Sequence, residues 1–269
     1  MCVGHQPSAG DMKGGGQVNG MIIDTHAHTQ DGIGMLSNYV PVGRMVEIMD
    51  EYGVKEAWVS PATAMQRDFI ESNRRQYEDI RAYPGRFINF YTANPNYPEL
   101  VENDIRRSIE DRGFKGIKMH PWETGFPIDV PASRRIVELA VEYDVPVLYH
   151  DGTPPWSETL QVAAMADYYP EAKIIIGHSG LFDAYRSAIR ACNTHDNIWL
   201  QICGPCVGDA AEIIRQARKD RLLFGSDFAT SETANLMDER LKVLEMACPD
   251  EKLRRQILCE NPRELISQS

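Results

Sequence analysis

The chain is 269 residues long, with 43% hydrophobic and 25% charged side chains, the balance of an ordinary globular protein. Its 28 basic against 39 acidic residues leave a net charge of −11, which argues against a nucleic-acid partner or an anionic membrane surface, since both call for basic patches. No apolar run approaches the roughly 20 residues that cross a bilayer.

Residues 1–20 are Gly-rich and aperiodic, with Lys13 their one Lys or Arg, and read as a flexible leader lacking the apolar core of a secretion signal. Six cysteines without a regular framework fit a reducing compartment, so a cytoplasmic location is expected. From residue 21 to 269 one pattern recurs: a short apolar run, a loop with Gly, Pro or His, then an amphipathic segment. Strand-like runs fall at 21–25, 57–60, 87–92, 116–119, 146–149, 173–176, 198–202 and 221–224. They are mostly continuous rather than alternating, as in parallel strands buried on both faces.

The intervals have helical spacing. Met45, Ile48 and Met49 share one face, as do Val137, Leu139, Ala140 and Val141 in the fourth interval and Ala211, Ile213, Ile214 and Ala217 in the seventh. Asn94-Pro95 and Tyr97-Pro98 precede the third helix, and Asp129-Val130-Pro131 opens the fourth. A last helical region, about 234–266, breaks near Cys248-Pro249-Asp250. Eight alternating βα units predict a (β/α)8 TIM barrel as one domain over residues 21–269. An open doubly wound sheet would carry a Gly-rich phosphate loop after its first strand, where this chain has His-Ala-His.

Barrel chemistry is built at the C-terminal ends of the strands. Five of the seven histidines stand there: His26, His28, His120, His150 and His178, leaving out only His5 and His195. Along a strand, residues i and i+2 project to one face, so His26 and His28 can both face the mouth. Two such imidazoles with another imidazole and a carboxylate suit a divalent transition metal that keeps a position open for water. Zinc is the default choice; iron, manganese or cobalt would satisfy the same donors.

Asp24-Thr25-His26-Ala27-His28, Gly116-Ile117-Lys118-Met119-His120-Pro121, Tyr149-His150, Gly177-His178-Ser179-Gly180 and Phe224-Gly225-Ser226-Asp227 together resemble the amidohydrolase superfamily. The nearest branch is the amidohydrolase-2 group, which includes aminocarboxymuconate-semialdehyde decarboxylase. The resemblance spans residues 21–269, including Glu260-Asn261-Pro262-Arg263-Glu264-Leu265. It implies His26, His28, His150 and Asp227 as metal ligands, and His178 and Asp227 as the groups that handle protons. One ion is favoured and two are allowed, because Lys118 stands where binuclear members carry a carboxylated lysine; otherwise its ammonium binds a substrate carboxylate or pairs with an acid.

His120, Trp122 and Trp156 are expected to contact substrate, with Arg67 and Asn94 weaker candidates. Asp151 either supports a liganding histidine or caps the Gly152 turn. The resemblance implies a metal-dependent hydrolase of a small ester, lactone or amide; the alternative is a nonoxidative decarboxylase of an aromatic or enoic acid. The partner is a small molecule, and a homodimer is a reasonable default.

The run Cys203-Gly204-Pro205-Cys206 suggests a thiol oxidoreductase, but it follows the seventh strand rather than an early one. It reads either as a turn with two small apolar side chains or as thiols on the active-site rim. A lowered thiol pKa before a helix would suit contact with substrate or competition for metal.

Overall fold

Eight strands run parallel in the order β1 to β8: β1 (Ile22–Thr29), β2 (Val54–Pro61), β3 (Phe87–Thr92), β4 (Gly116–Met119), β5 (Val147–Tyr149), β6 (Ile174–Ile176), β7 (Ile198–Ile202) and β8 (Leu222–Phe224). This computed structural model describes residues 21–29, 40–228 and 235–267; the leader assigned to residues 1–20 lies outside them. The sheet closes on itself just past β8. The Asp227 N–H donates to the His26 carbonyl at 2.8 Å, and the His28 N–H donates to the Phe228 carbonyl at 2.9 Å. The fold is the expected (β/α)8 barrel.

The helices between the strands are α1 (Val42–Glu51), α2 (Phe69–Ile80), α3 (Pro98–Arg112), α4 (Pro121–Thr124), α5 (Pro131–Glu142), α6 (Thr159–Tyr168), α7 (Tyr185–Thr194) and α8 (Val207–Gln216). Pro98, Pro121 and Pro131 each open a helix, where a missing N–H costs nothing. α1 buries Val42, Met45, Ile48 and Met49 against the barrel. α8 uses Ala210, Ile213 and Ile214, so Ala211 falls just off the expected face. The C-terminal region is α9 (Asn235–Ala247), α10 (Glu251–Arg255), a π turn (Gln256–Glu260) and α11 (Asn261–Ser267). Asn261 ties that region to the barrel, its Nδ2 donating to the carbonyls of Lys219 at 2.8 Å and Leu222 at 2.7 Å.

The barrel interior is layered. Ile23, Trp58, Phe90, Leu148, Ile175, Trp199 and Leu223 form one apolar plug, closed below by Leu265 of α11. Gly116 makes room for it, since a Cβ there would come within 2.3 Å of the Phe90 ring. With a period of two, the next inward residue on each strand stands one layer higher. Trp58 is followed by Ser60, Phe90 by Thr92, Leu148 by His150, Trp199 by Gln201 and Leu223 by Gly225. The interior thus turns from apolar to polar within two residues on strand after strand.

β1 differs most from the sequence reading. It runs to Thr29 rather than ending at Thr25, and it carries a bulge: Asp24 pairs with Ala57 but Ala27 with Val59. A bulge re-aims the side chains after it, and here those are the two histidines.

Candidate active site

His26 and His28 leave β1 facing the barrel axis, and Asp227 meets them from the turn after β8. The backbone of Asp227 is left-handed (φ 59°), a conformation aspartate tolerates better than most residues. Asp24 fixes this seam from beneath: wholly buried, it accepts the N–H groups of His26 at 3.2 Å and Ser226 at 3.0 Å, and the Ser226 hydroxyl. Burial pushes the Asp24 carboxyl up to about 7.

The ring tautomers follow from their partners. Gln201 Nε2 donates to the carbonyl and hydroxyl oxygens of Thr25 at 2.7 and 2.8 Å, so its Oε1 accepts from His26 Nδ1–H at 2.9 Å. The His26 Nε2 lone pair is left facing the mouth, where it accepts from Lys118 Nζ at 3.0 Å. His28 Nδ1 lies 3.2 Å from the Ser60 carbonyl and donates to it, which turns the Nε2 lone pair of a neutral ring toward Asp227 Oδ1 at 3.1 Å. His26 Nε2 lies 3.6 Å from the same oxygen. Lone pairs converging on a carboxylate call for a positive charge between them, and the ligand atoms of His26, His28 and Asp227 all lie within 4.8 Å of one another. This donor set fits a divalent cation.

His150 stands apart from that group of three. Its Nδ1 faces His178 Nε2 at 2.9 Å, and its own Nε2 is buried without a hydrogen-bond partner. His178 Nδ1 donates to the Cys203 carbonyl at 3.0 Å, so its Nε2 is the free lone pair and receives the His150 proton. Asp151 neither supports a liganding ring nor caps the Gly152 turn. Its carboxylate accepts the N–H groups of His178 at 2.6 Å and Gly180 at 2.7 Å and the Thr159 hydroxyl at 2.8 Å, holding the turn after β6. The Cys203 thiol contradicts the expected lowering: burial pushes its pKa well above the usual value.

Lys118 is wholly buried, with Nζ 3.0 Å from His26 Nε2. Burial lowers its pKa to about 8, against the pull of Asp227. His120 stacks on His150 with ring centroids 3.9 Å apart and planes at 13°, and Trp122 lies 6.1 Å from the first ring and 6.3 Å from the second. Trp122 therefore walls the cluster. Trp156 is 41% exposed, and among the described residues no ring contact joins it to the histidines. Arg67 is exposed, while Asn94 Oδ1 accepts from the Asn96 N–H at 3.1 Å within its own turn.

Several residues of the site escaped the sequence reading. Gln201 sits in the apolar run Ile198–Ile202, where its polarity was the available signal. Ser60 carries no distinguishing pattern, and Ser226 was visible only as part of the motif that ends in Asp227. Glu123, three residues after His120, accepts from Gln66 through Oε1, while its Oε2 is buried without a hydrogen-bond partner 3.7 Å from His120 Nε2.

Burial holds the pKa values of His26, His120 and His150 well below 6.5, with the Lys118 charge acting in the same direction. With no cation between them, a proton on His28 Nε2 bridges to Asp227 Oδ1; burial acts upward on Asp227, but this bond and the imidazole charges beside it outweigh burial and hold the carboxyl well below its usual range. Its side chain is 36% exposed where those of His26 and His28 are 0% and 4%, so this carboxylate marks the opening.

A barrel whose first and last strands bring imidazoles and a carboxylate together at the C-terminal rim is an enzyme scaffold of the metal-assisted kind. The chain belongs to the amidohydrolase family, whose sequence model matches residues 23–267, in keeping with the resemblance of its motifs. A curated relative, gamma-resorcylate decarboxylase of Polaromonas sp. JS666, is 26% identical over 179 residues, 51% of this chain. That match spans only about half of the relative, 55% of its length. Among solved structures, dihydroxybenzoic acid decarboxylase from Polaromonas sp. JS666, with bound manganese and the inhibitor 2-nitroresorcinol, is 20% identical with a TM-score of 0.70, covering 92% of this chain and 96% of that one. A 5-carboxyvanillate decarboxylase from Novosphingobium aromaticivorans, complexed with manganese and a nitrobenzoic acid, is 18% identical with a TM-score of 0.70, covering 96% and 99%. At these identities the two structures speak for the fold.

Proposed function

We propose that this enzyme is a metal-dependent nonoxidative decarboxylase of a small aromatic or enoic carboxylic acid. The observation that carries the reading is the wholly buried Lys118, whose Nζ lies 3.0 Å from His26 Nε2 beside the His26–His28–Asp227 cation site. A Lys118 ammonium, together with a divalent cation held in that site, would favour an anionic substrate over a neutral ester or lactone. The flat face of Trp122, His120 and His150 suits a planar acid. The curated relative supports the choice, its name being that of a decarboxylase.

His26, His28 and Asp227 would hold the divalent cation, with His150 as a further donor; a bound cation polarises the oxygens of the substrate. Manganese in the neighbouring structure makes Mn2+ the first ion to test, ahead of the zinc expected from the donor types. Lys118 pairs with the substrate carboxylate. The bond between the carboxyl carbon and its neighbour breaks, CO2 leaves, and His178, once it has taken a solvent proton on Nε2, delivers that proton to the carbon left behind. An anion in the mouth raises the proton affinity of His178, which recovers its proton from solvent.

Hydrolysis is the second reading. It is favoured by the half-open Asp227 carboxylate, which could accept a proton from attacking water. The two separate cleanly when protein loaded with Mn2+ or Zn2+ is offered hydroxybenzoates, enoic acids, esters and lactones in labelled water. The expected result is CO2 release with a solvent proton on the product carbon. Ester or lactone cleavage with solvent oxygen in the product, and no CO2 from any acid, would establish the hydrolase instead.

A further inference from the structure

The Cys-Gly-Pro-Cys run is not used by the proposed reaction, and its two thiols separate in the fold. Cys206 is exposed at the start of α8, its Sγ donating to Asp209 Oδ2 at 3.2 Å. Cys203 is wholly buried at the end of β7. A ring nitrogen of His26, a ring nitrogen of His178 and the Cys203 sulfur all lie within 4.8 Å of one another. The packing permits this approach: a Cβ on Gly225 would come within 2.8 Å of His26 Cβ, 3.1 Å of Cys203 Cβ and 3.5 Å of the sulfur. Both rings give their Nδ1 protons away, to Gln201 and to the Cys203 carbonyl, so each keeps an Nε2 lone pair; a cation would take these in exchange for the hydrogen bonds from Lys118 Nζ at 3.0 Å and His150 Nδ1 at 2.9 Å.

We infer that His26, His178 and Cys203 form a second metal position, selective for thiophilic divalent cations, which shares His26 with the His26–His28–Asp227 position. The inference rests on the reading of the latter as the working centre. One imidazole lone pair binds one cation, so the two positions exclude each other. The carboxylate set suits a hard ion such as Mn2+, while a thiolate draws Cd2+ and Zn2+. Binding at the second position forms a sulfur–metal bond, and the Cys203 S–H proton passes to solvent. It also takes the His178 lone pair, so a thiophilic ion silences proton transfer from inside the site.

The test is a Cd2+ titration of the whole protein followed by the ultraviolet absorption of the thiolate–cadmium bond, with Mn2+ binding read separately from the spin-resonance signal of the free ion. Wild type is expected to develop the band, and added Mn2+ to shift its midpoint to higher Cd2+. Cys203→Ser should lose the band and keep Mn2+ binding, with Cys203→Ala as a second variant if serine is not tolerated. Cys206→Ser should keep both. A wild type without the band, or a band that survives in both Cys203 variants, overturns the inference. Asp227→Asn distinguishes the two readings: it should weaken Mn2+ and leave the band. Unchanged Mn2+ binding in that variant would remove the working centre as described, while the Cys203 variants still decide the thiolate position.

Discussion

The reactive character of His26 is decided by an amide that never meets substrate. Gln201 fixes its own orientation on Thr25 and thereby fixes the tautomer of His26. Gln201→Leu should leave the His26 Nδ1–H and the Thr25 carbonyl unpaired and weaken Mn2+ binding about 10- to 100-fold, measured by titration of the free ion. His178→Asn has the opposite profile: CO2 release should fall about 10²- to 10⁴-fold while Mn2+ binding stays. The histidines were legible because a polar ring ending an apolar strand is conspicuous. Gln201 was nearly as visible, one polar residue inside a fully buried strand, but an amide suggests no chemistry by itself.

At the scale of elements, the site depends on turns that bend back over the mouth. Asp151, at the end of β5, ties down the turn after β6 through the N–H groups of His178 and Gly180. Asp151→Ala removes the acceptor for these and for the Thr159 hydroxyl, at about 1–3 kcal/mol for each group left buried and unpaired. Urea denaturation should place Asp151→Asn between this variant and wild type, since an amide keeps one acceptor oxygen. Strand ends were readable from sequence where Gly, Pro or His punctuated them, and β3, β4 and β7 fall at the expected bounds. β1 was misjudged because its last residues pair across a bulge and with the segment after β8, contacts that local pattern does not encode. The role of Asp151 was hidden for the same reason, as two of its partners lie in the turn after β6 and the third at the start of α6.

For the molecule as a whole, the polar interior carries a pH cost. Burial lowers the pKa of four imidazoles, His26, His120, His150 and His178. Unfolding restores them to about 6.5, so below that pH the unfolded chain binds more protons than the folded one. Burial raises the carboxyls of Asp24, Asp151, Glu56, Asp79 and Glu123, which favour the folded state below their raised values and oppose the trend. Each proton of net difference is worth about 1.4 kcal/mol per pH unit, and with the four imidazoles dominant metal-free stability should drop as pH falls from 6.5 toward 5. Denaturant midpoints at pH 7, 6 and 5 measure this. A midpoint that rises toward pH 5 would show that the carboxyls dominate. The barrel was legible as a whole because its βα rhythm is repeated, while this titration balance follows from burial that only the fold reveals.

The seam between β1 and the turn after β8 has a consequence for folding. Two of the proposed ligands, His26 and His28, lie far along the chain from Asp227, with 199 positions between His28 and that carboxylate. The three donors meet only where the backbone of Asp227 and Phe228 is zipped to β1. A cation held there would act as a clasp, adding its affinity to the closure of the cylinder and to nothing that precedes it.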